Sequence, residues 1–402
     1  MPDPLFIDNF GPLPIVRPAS AAELGDLVRR AAAAGQAVYP VGGGTMLHVG
    51  LPPARPGVAV DVRSLDTVID YPARDMTITV GAGITLARLD EILRGENQRL
   101  PVDVPLPGQA TLGGALAVSA SGPRRYGFGT LRDYVIGISA VNDEGHEIKA
   151  GGRVVKNVAG YDLCKLFIGS LGTPGVITRV TLKVRPRPEA QAMLVGGCPA
   201  VALADLLERL HTSATRPVCI DVRGPAEADA DFQVFVGFEE NRQAVDWQVK
   251  QIQQELRPGY SLLVRRDADA EQDFRRLTDA TLNSACALSF KANLLPSAVA
   301  GFLRKAREIV AGPLQAHAGN GIVIGHVGGD LTAERAAAML ASLQEPAAAA
   351  QGNVIVLRCP PEWKRSLPVW GAPRGDLRLM RAVKDKLDPR RLFNPGRFVD
   401  GI

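Results

Sequence analysis

The sequence predicts an α+β protein that is built in two parts. In residues 1–188, three glycine-rich stretches lie beside apolar strands, although surface loops are seldom so apolar and core strands seldom contain so much glycine. After Pro186 and Pro188 these stretches stop, and strands alternate with helices in a way that favours an antiparallel sheet with helices on one face. We therefore expect a first domain over residues 1–188, a second domain over residues 189–372, and a C-terminal return to the first domain over residues 373–402.

Short sequence patterns predict the helices and strands of the first domain. Ser20 and Glu23 have the spacing of a capping box, and the alanine-rich helix that follows is expected to end at Gly35. Thr85 is expected to cap a second helix that ends near Gly95. Strands are predicted for "AVYPV", "VAVDV", "MTITVG", "GVITRVTLKVRP" and for both arms of "DYVIGISAVNDEGHEIKAGG".

The second domain shows a different pattern. Helices are predicted to start at Pro199 and to run from Asn241 to Arg257. A last helix, "DLRLMRAVKDKL", is followed by "DPRRLFNPGRF". The strands are predicted for "AMLVGG", "VCIDVRG", "DFQVFVGFE" and "SLLVRR".

The composition excludes several classes of protein. The chain has 46% hydrophobic and 22% charged residues, as soluble enzymes do, and its net charge of +4 is too small and dispersed to favour nucleic acid. The five cysteines are widely spaced without a C-x-x-C motif, which argues against disulfides, zinc or an iron–sulfur cluster bound by this chain alone. The N-terminus lacks the features of a signal peptide, and no apolar run approaches the roughly 18 residues of a spanning helix. We expect a cytoplasmic protein that associates with membranes only through partners.

The stretch "VGGGT", which contains Val41, Gly42, Gly43, Gly44 and Thr45, follows a predicted strand. Without Cβ atoms, main-chain N–H groups can converge into a concavity that suits a phosphate oxygen. A tight turn is the alternative. A Rossmann motif is excluded, because no G-x-G-x-x-G is present and two prolines follow where its helix would run.

The stretch "TLGGALAVSASG" is predicted to start a helix at Thr111. Its exposed N–H groups and positive dipole end would face an anion. Gly113 and Gly114 cost about 1 kcal/mol each relative to alanine, which a backbone pressed against a ligand would offset. Close helix packing through small residues is the alternative. Valine at Gly43 or Gly114 is expected to push Cβ atoms into a bound pyrophosphate.

The stretch "VAGYDLCKLFIGSLGTPGVI" is both apolar and rich in glycine. Residues 161–167 are predicted to form a short helix, and Gly169, Gly172 and Gly175 bracket a loop that leads into a buried strand. Such a loop lets a planar ring lie directly on the main chain. A buried connection between a helix and a strand is the alternative.

Together the three stretches resemble the FAD-binding domain of the vanillyl-alcohol-oxidase type, also called the p-cresol-methylhydroxylase type, over residues 12–188 and "LDPRRLFNPGR". The family's P-x-G-G-G-T, P-G-x-x-T-L-G-G, S-G and G-T-L-G-V-I-T motifs occur here in the same order, with Pro174 in place of the usual leucine. The resemblance implies a two-part FAD-binding domain and an antiparallel α+β cap over the flavin. It implies FAD contacts from Val41, Gly42, Gly43, Gly44, Thr45, Pro107, Thr111, Gly113, Gly114, Ser121, Gly122, Gly172, Gly175, Val176, Ile177, Asn394 and Arg397.

The longer segment "GGRVVKNVAGYDLCKLFIGSLGT" is similar to the smaller FAD-binding subunits of bacterial glycolate oxidases. This resemblance implies a complex with a larger flavin subunit and an iron–sulfur subunit, acting on a small 2-hydroxy acid. Relatives that bind FAD covalently carry a histidine in the glycine loop, where this chain has Thr45, while His48 lies three positions later. Non-covalent FAD is therefore expected.

The cap of related 2-hydroxy-acid dehydrogenases carries H-x-G-D-G-N-x-H, and the nearest stretch here is "HAGNGIVI". His317 and Asn320 are the weak catalytic candidates, because the acidic residue, the asparagine and the second histidine of the motif are replaced. His326 would have to be displaced by about 7 Å to substitute for the lost histidine. A metal is not expected, since one histidine supplies too few ligands.

Three functions remain open at this point. The first is an FAD-carrying subunit of a glycolate-oxidising complex, whose flavin receives or relays electrons. The second is a standalone FAD-dependent D-2-hydroxy-acid dehydrogenase. The third is an NADPH-linked flavin reductase of the type that acts on cell-wall precursors, although the cap shows no counterpart to that family. The incomplete cap motif favours the first, and predicts that the isolated chain hardly oxidises glycolate or D-lactate.

Overall fold

A computed structural model describes residues 4–152, 161–224, 231–283, 285–373 and 375–402. The part of the third glycine-rich stretch before Tyr161 lies outside the described residues. The helices are α1 (Ala21–Ala33), α2 (Leu86–Arg94), α3 (Leu112–Val118), α4 (Arg125–Phe128), α5 (Leu131–Tyr134), α6 (Cys164–Phe167), α7 (Leu203–Thr212), α8 (Arg242–Leu256), α9 (Ala268–Asp279), α10 (Val299–Ile309), α11 (Ala333–Ala349) and α12 (Leu377–Leu387). The strands are β1 (Leu5–Ile7), β2 (Phe10–Leu13), β3 (Ile15–Val16), β4 (Ala37–Val41), β5 (Gly57–Asp61), β6 (Val68–Asp70), β7 (Thr77–Gly81), β8 (Gln98–Arg99), β9 (Val135–Val141), β10 (Glu147–Gly151), β11 (Val176–Lys183), β12 (Arg185–Pro186), β13 (Ala190–Cys198), β14 (Cys219–Gly224), β15 (Phe232–Glu240), β16 (Leu263–Arg266), β17 (Leu288–Asn293), β18 (Leu314–His317), β19 (Ile322–Val327) and β20 (Asn353–Arg358).

The chain divides into two compact units. The first unit consists of Met1–Ala120, Thr130–Arg187 and Pro373–Ile402. The second unit consists of Ser121–Gly129 and Pro188–Ala372. Helices and strands are mixed in both units, which confirms the predicted α+β fold class.

Two main sheets form the first unit. A parallel sheet has the strand order β3-β5-β4, and an antiparallel sheet has the order β10-β9-β11-β7-β6. Helix α1 covers the parallel sheet, since its buried Leu24 and Val28 belong to one apolar cluster with Val38 and Val60. Burying each such side chain fully contributes about 1.5–3 kcal/mol. The glycine loop after β4 therefore starts from a fixed strand.

The predicted caps of the first unit are present. Ser20 Oγ accepts a hydrogen bond from Glu23 N, and Thr85 Oγ1 accepts one from Arg88 N, at the starts of α1 and α2. The helix predicted over residues 161–167 is shorter than expected, because α6 begins only at Cys164. Tyr161 is 91% exposed and lies before the start of α6.

The second unit is built on an eight-stranded sheet with the order β16-β13-β15-β14-β18-β19-β17-β20. Every neighbouring pair is antiparallel, as predicted. The expectation that helices lie on one face is wrong. A Cβ on Gly237 of β15 would meet the ring of Phe274 in α9, whereas Phe232, five residues earlier on the same strand, packs against Arg307 of α10. Odd spacing along a strand means opposite faces, so helices cover both.

Candidate functional site

The loop that follows β4 presents a row of main-chain donors. Within the part of the chain that the structure describes, no protein acceptor is recorded for the N–H groups of Gly42, Gly43, Gly44 and Thr45. Gly44 has a φ of +74°, a conformation that favours glycine. Successive N–H groups without protein partners form a concave site that suits an anion.

The first two glycines of this loop are also required by the protein's own packing. A Cβ on Gly42 would lie 2.0 Å from Thr111 Oγ1, and one on Gly43 would lie 1.8 Å from Gln109 O. The loop therefore packs directly against the segment that starts α3. Valine at Gly43 was expected to push its Cβ into the pyrophosphate, whereas the structure shows that this Cβ would meet the backbone at Gln109 of the same chain. The expected loss of flavin from Gly43→Val and Gly114→Val stays a prediction.

The start of α3 does not offer free N–H groups. Leu112 N donates to Ile84 O at 2.9 Å, Gly113 N donates to Ala82 O at 2.8 Å, and Gly114 N donates to the capping Thr111 Oγ1. The prediction that these groups face an anion is therefore wrong. A Cβ on Gly113 would lie 3.0 Å from Ala82, so the alternative of close packing accounts for that glycine.

The third glycine-rich loop packs on the other end of α3. Gly169 N and Leu171 N each donate at 2.9 Å to carbonyl groups in the last turn of that helix. Gly172 has a φ of +69°, and a Cβ on Gly175 would lie 2.7 Å from Val141 O in β9. Val176 and Ile177 are buried at the start of β11. The first unit thus brings the three predicted stretches together around α3.

The C-terminal segment braces the same loops. Phe393 forms an isolated parallel bridge with Val38 in β4. Asn394 Nδ2 donates to Leu171 O at 2.5 Å, and Arg397 Nη2 donates to Leu47 O and Val49 O, each at 2.7 Å.

Arg397 carries a buried cation with spare hydrogen-bonding capacity. Arg397 is 4% exposed, and its Nη1 has no hydrogen-bond partner among the described residues. Burial lowers the pKa of Arg397, because water no longer solvates its charge. A buried guanidinium with a free N–H group suits a phosphate oxygen.

Three of the predicted FAD contacts, Pro107, Ser121 and Gly122, do not belong to the loops described above. Pro107 lies in an exposed turn of the first unit, where its carbonyl accepts a hydrogen bond from Ala87 N at 2.9 Å. Ser121 and Gly122 belong to the second unit, and Ser121 Oγ accepts a hydrogen bond from Arg125 Nη1 at 3.4 Å.

His317 lies at the end of β18 in the second unit and is 2% exposed. Its Nδ1 is 2.8 Å from Asp221 Oδ2, while its Nε2 has no partner among the described residues. Asn320 follows in a single 3₁₀ turn, and its buried Oδ1 also lacks a partner there. Both candidates therefore keep a free polar atom.

His326 cannot replace the missing histidine of the cap motif. Its Nδ1 is 2.8 Å from Ser289 Oγ and its Nε2 is 2.9 Å from Ala280 O, so both ring nitrogens are occupied. No cluster of three or more residues able to hold a metal ion occurs in the described ranges.

Comparisons with known proteins agree with this architecture. A family model described as "FAD binding domain" matches residues 12–151, and the model "FAD linked oxidases, C-terminal domain" matches residues 372–398. Residues 12–151 are thus similar to FAD-binding domains, and residues 372–398 to the C-terminal domain of FAD-linked oxidases. FAD is therefore its cofactor.

Several known proteins are similar to this chain in sequence. The glycolate oxidase subunit GlcE of Escherichia coli is 40% identical over 34% of this chain and 40% of its own length. A D-2-hydroxyglutarate dehydrogenase of Xanthomonas citri is 35% identical over 46% of this chain and 39% of its own length. The glycolate oxidase subunit GlcD of Bacillus subtilis is 25% identical over 90% of this chain and 83% of its own length. The first two matches span only about two fifths of those relatives.

The fold of this FAD-linked protein recurs in a solved structure. An alkyldihydroxyacetonephosphate synthase superposes with a TM-score of 0.71 at 19% identity, covering 96% of this chain and 77% of that one. None of the described helices is long and apolar enough to cross a membrane.

Sequence reasoning missed several residues of this FAD-linked chain. Asp221 interrupts the apolar strand "VCIDVRG", and Lys384 lies on the helix before the C-terminal motif. A charged residue at a strand position that should be buried was the available signal for Asp221. Lys384 gave no signal of its burial, since a lysine and an aspartate four positions apart also occur on exposed helix faces and its partner Thr173 is 211 positions away.

Proposed function

We propose that this chain binds FAD non-covalently through the main-chain donors of residues 42–45 and through Arg397. The single observation that carries the proposal is the row of N–H groups without an acceptor among the described residues, together with a buried guanidinium that holds Leu47 O and Val49 O just after this loop and whose Nη1 also lacks a partner there. A pyrophosphate only accepts hydrogen bonds, so both donor types fit it. The other contacts proposed within the first unit are Val41, Pro107, Thr111, Gly113, Gly114, Gly172, Gly175, Val176, Ile177 and Asn394. Ser121 and Gly122, which belong to the second unit, stay predictions.

The non-covalent mode follows from the side chains of the loop. Thr45 occupies the position where covalent relatives carry histidine, and a threonine hydroxyl does not form that bond. Precipitation with acid is expected to release the flavin into the supernatant. Yellow colour that stays with the precipitated protein would contradict this.

The bound FAD accepts or passes on the electrons of 2-hydroxy-acid oxidation, and the chain acts as one subunit of a glycolate-oxidising complex. Similarity to glycolate oxidase subunits supports this assignment. The partners proposed are a larger flavin subunit and an iron–sulfur subunit. Of the polar residues of the dehydrogenase motif, this chain keeps only His317, and Asn320 stands where the motif has its acidic residue, which supports dependence on a partner.

The test is co-purification followed by anaerobic titration. Tagged protein from its native host is expected to carry both partners. The single chain is expected to keep its flavin oxidised when glycolate or D-lactate is added, whereas the complex is bleached. A single chain without partners that bleaches rapidly would promote the second candidate.

The second candidate is a standalone 2-hydroxy-acid dehydrogenase, and one observation favours it. The buried Nε2 of His317 has no partner among the described residues, and its Nδ1 lies within hydrogen-bond distance of the Asp221 carboxyl group. This arrangement suits a proton acceptor. Reduction of the single chain by a small 2-hydroxy acid separates the two candidates.

A further inference from the structure

Asp221 is a fully buried carboxyl group in an apolar strand. It lies in β14 at 0% exposure, and the β14–β18 register places it directly opposite His317. A buried carboxyl group is costly unless hydrogen bonds compensate it, so its position calls for a reason.

The hydrogen bonds around Asp221 determine which nitrogen of His317 carries the proton. Leu277 O can only accept, so the Gln315 amide nitrogen that lies 2.8 Å away must donate. The same nitrogen is 3.2 Å from Asp221 Oδ2, which makes Oδ2 an acceptor. His317 Nδ1, 2.8 Å from Oδ2, is then the donor. In the neutral ring, the lone pair lies on Nε2.

We propose that Asp221 is a positioning residue that holds His317 with Nε2 as the proton acceptor for the hydroxyl group of a small 2-hydroxy acid. Nε2 is buried without a described partner, as is Asn320 Oδ1 three residues later. The proposal rests on the second candidate function, in which this chain itself oxidises a 2-hydroxy acid, and extends it to a residue outside the predicted motif.

The step balances as a two-electron oxidation. The hydroxyl O–H bond would break and its proton would pass to Nε2. The C2–H bond would also break, and FAD, when bound, would supply the acceptor for that hydrogen and two electrons. The C2–O single bond becomes the carbonyl of a 2-oxo acid. Asp221 then stabilises the charged imidazole ring without taking its proton.

The first measurement is the nitrogen NMR spectrum of the full chain labelled with ¹⁵N-histidine. The chain has five histidines, and the signal lost in His317→Gln identifies the ring. Wild-type protein is expected to show a protonated Nδ1 and an unprotonated Nε2. In Asp221→Ala no carboxyl oxygen remains to accept the Nδ1 proton, so the proton is expected to lose its preference for Nδ1 and to appear on Nε2 as well. A wild-type ring that carries its proton on Nε2 would overturn the proposal.

The second measurement is the rate of flavin reduction by glycolate or D-lactate. It uses the form of the protein whose flavin the acid reduces, either the single chain or the chain with its co-purified partners. Asp221→Asn is expected to lower it by about 10²–10⁴-fold. The matched control is Ser289→Ala, which removes the hydroxyl partner of the other buried histidine, His326. This control is expected to leave both the rate and the His317 signal unchanged.

The outcomes separate the two proposals. Reduction that is equally fast in wild type and Asp221→Asn overturns the role of Asp221 alone. Absence of reduction in both forms of the wild type removes the proposed 2-hydroxy-acid oxidation together with that role. If Asp221→Asn does not fold, Asp221→Ala replaces it, and a rate like that of wild type then overturns the proposal.

Discussion

The ammonium nitrogen of Lys384 lies 2.5 Å from Asp388 Oδ2, and both residues are buried in the first unit. Lys384 also donates to Thr173 O at 2.8 Å and to Phe393 O at 3.0 Å. Asp388 in turn accepts hydrogen bonds from Leu392 N and Phe393 N. This ion pair therefore ties the third glycine loop to the C-terminal segment that carries Asn394 and Arg397.

Lys384→Met is expected to lower the free energy of unfolding by about 3–5 kcal/mol, because it leaves the carboxyl group of Asp388 buried without its cation. It is also expected to weaken FAD binding, since the loop and the C-terminal segment lose their common anchor. Urea unfolding of the FAD-free chain and fluorescence titration with FAD measure the two effects.

The control is Lys386→Met, an exposed position on the same helix. It is expected to change the free energy of unfolding by less than about 0.5 kcal/mol. The double variant Lys384→Met/Asp388→Leu is expected to be more stable than Lys384→Met, because no charge remains buried. Equal stability of the variants at positions 384 and 386 would contradict the anchoring role.

Arg397→Lys is expected to raise the Kd for FAD by roughly 10- to 100-fold. One charge-assisted hydrogen bond contributes about 1.5–3 kcal/mol, and lysine cannot hold two carbonyl groups while presenting a third donor in a planar fork. Fluorescence titration of the FAD-free chain measures the change. Arg378→Lys, at an exposed position of α12, is the control and should leave the Kd unchanged. An unaltered Kd in Arg397→Lys would remove this residue from the proposed site.

Local chemistry explains which parts of the fold could be predicted. The caps at Ser20 and Thr85 depend on residues three positions apart, and the antiparallel second sheet depends on strand patterns that are readable one segment at a time. The predicted glycine loops also lie together in the first unit, since their sequence pattern is a property of the FAD domain family.

Contacts between distant residues explain what could not be predicted. Asp221 and His317 are 96 positions apart and meet only through strand pairing. The N–H groups of Leu112 and Gly113 looked free in the sequence, but carbonyl groups of residues 82 and 84 accept their hydrogen bonds. The sequence pattern correctly identified the segments whose backbone carries no side chains. It did not show whether a ligand or another part of the chain packs against them.

Asp61 is expected to make the stability of the first unit depend on pH. Burial alone would raise its pKa, but hydrogen bonds from Arg63 and Arg17 outweigh that effect and lower the pKa from 3.8 to about 2. A depressed carboxyl pKa stabilises the fold above the unfolded value, and this contribution is lost as the pH falls from about 4 to about 2. Asp61→Asn should therefore be less stable than wild type at pH 7, by about 1–2 kcal/mol after allowance for solvent screening of the two arginines.

Urea unfolding at several pH values measures this effect. The difference between wild type and Asp61→Asn is expected to shrink steadily below pH 4. Asp75→Asn, at an exposed position, serves as the control and should follow wild type throughout. A difference that is the same at pH 7 and pH 3 would show that Asp61 acts through packing and not through its charge.

Gly43→Ala tests whether the first loop needs glycine for packing within the chain or for binding the cofactor. The new Cβ would lie 1.8 Å from Gln109 O, so the loop or its neighbour must move, and we expect the FAD-free chain to lose about 1–3 kcal/mol of stability. Gly108→Ala is the matched control, because a Cβ there meets no heavy atom within 4 Å of the described structure and its φ is not positive. Thermal unfolding without FAD, followed by FAD titration, separates the two effects. If Gly43→Ala is as stable as the control but fails to bind FAD, the ligand requires glycine at this position and the packing against Gln109 does not.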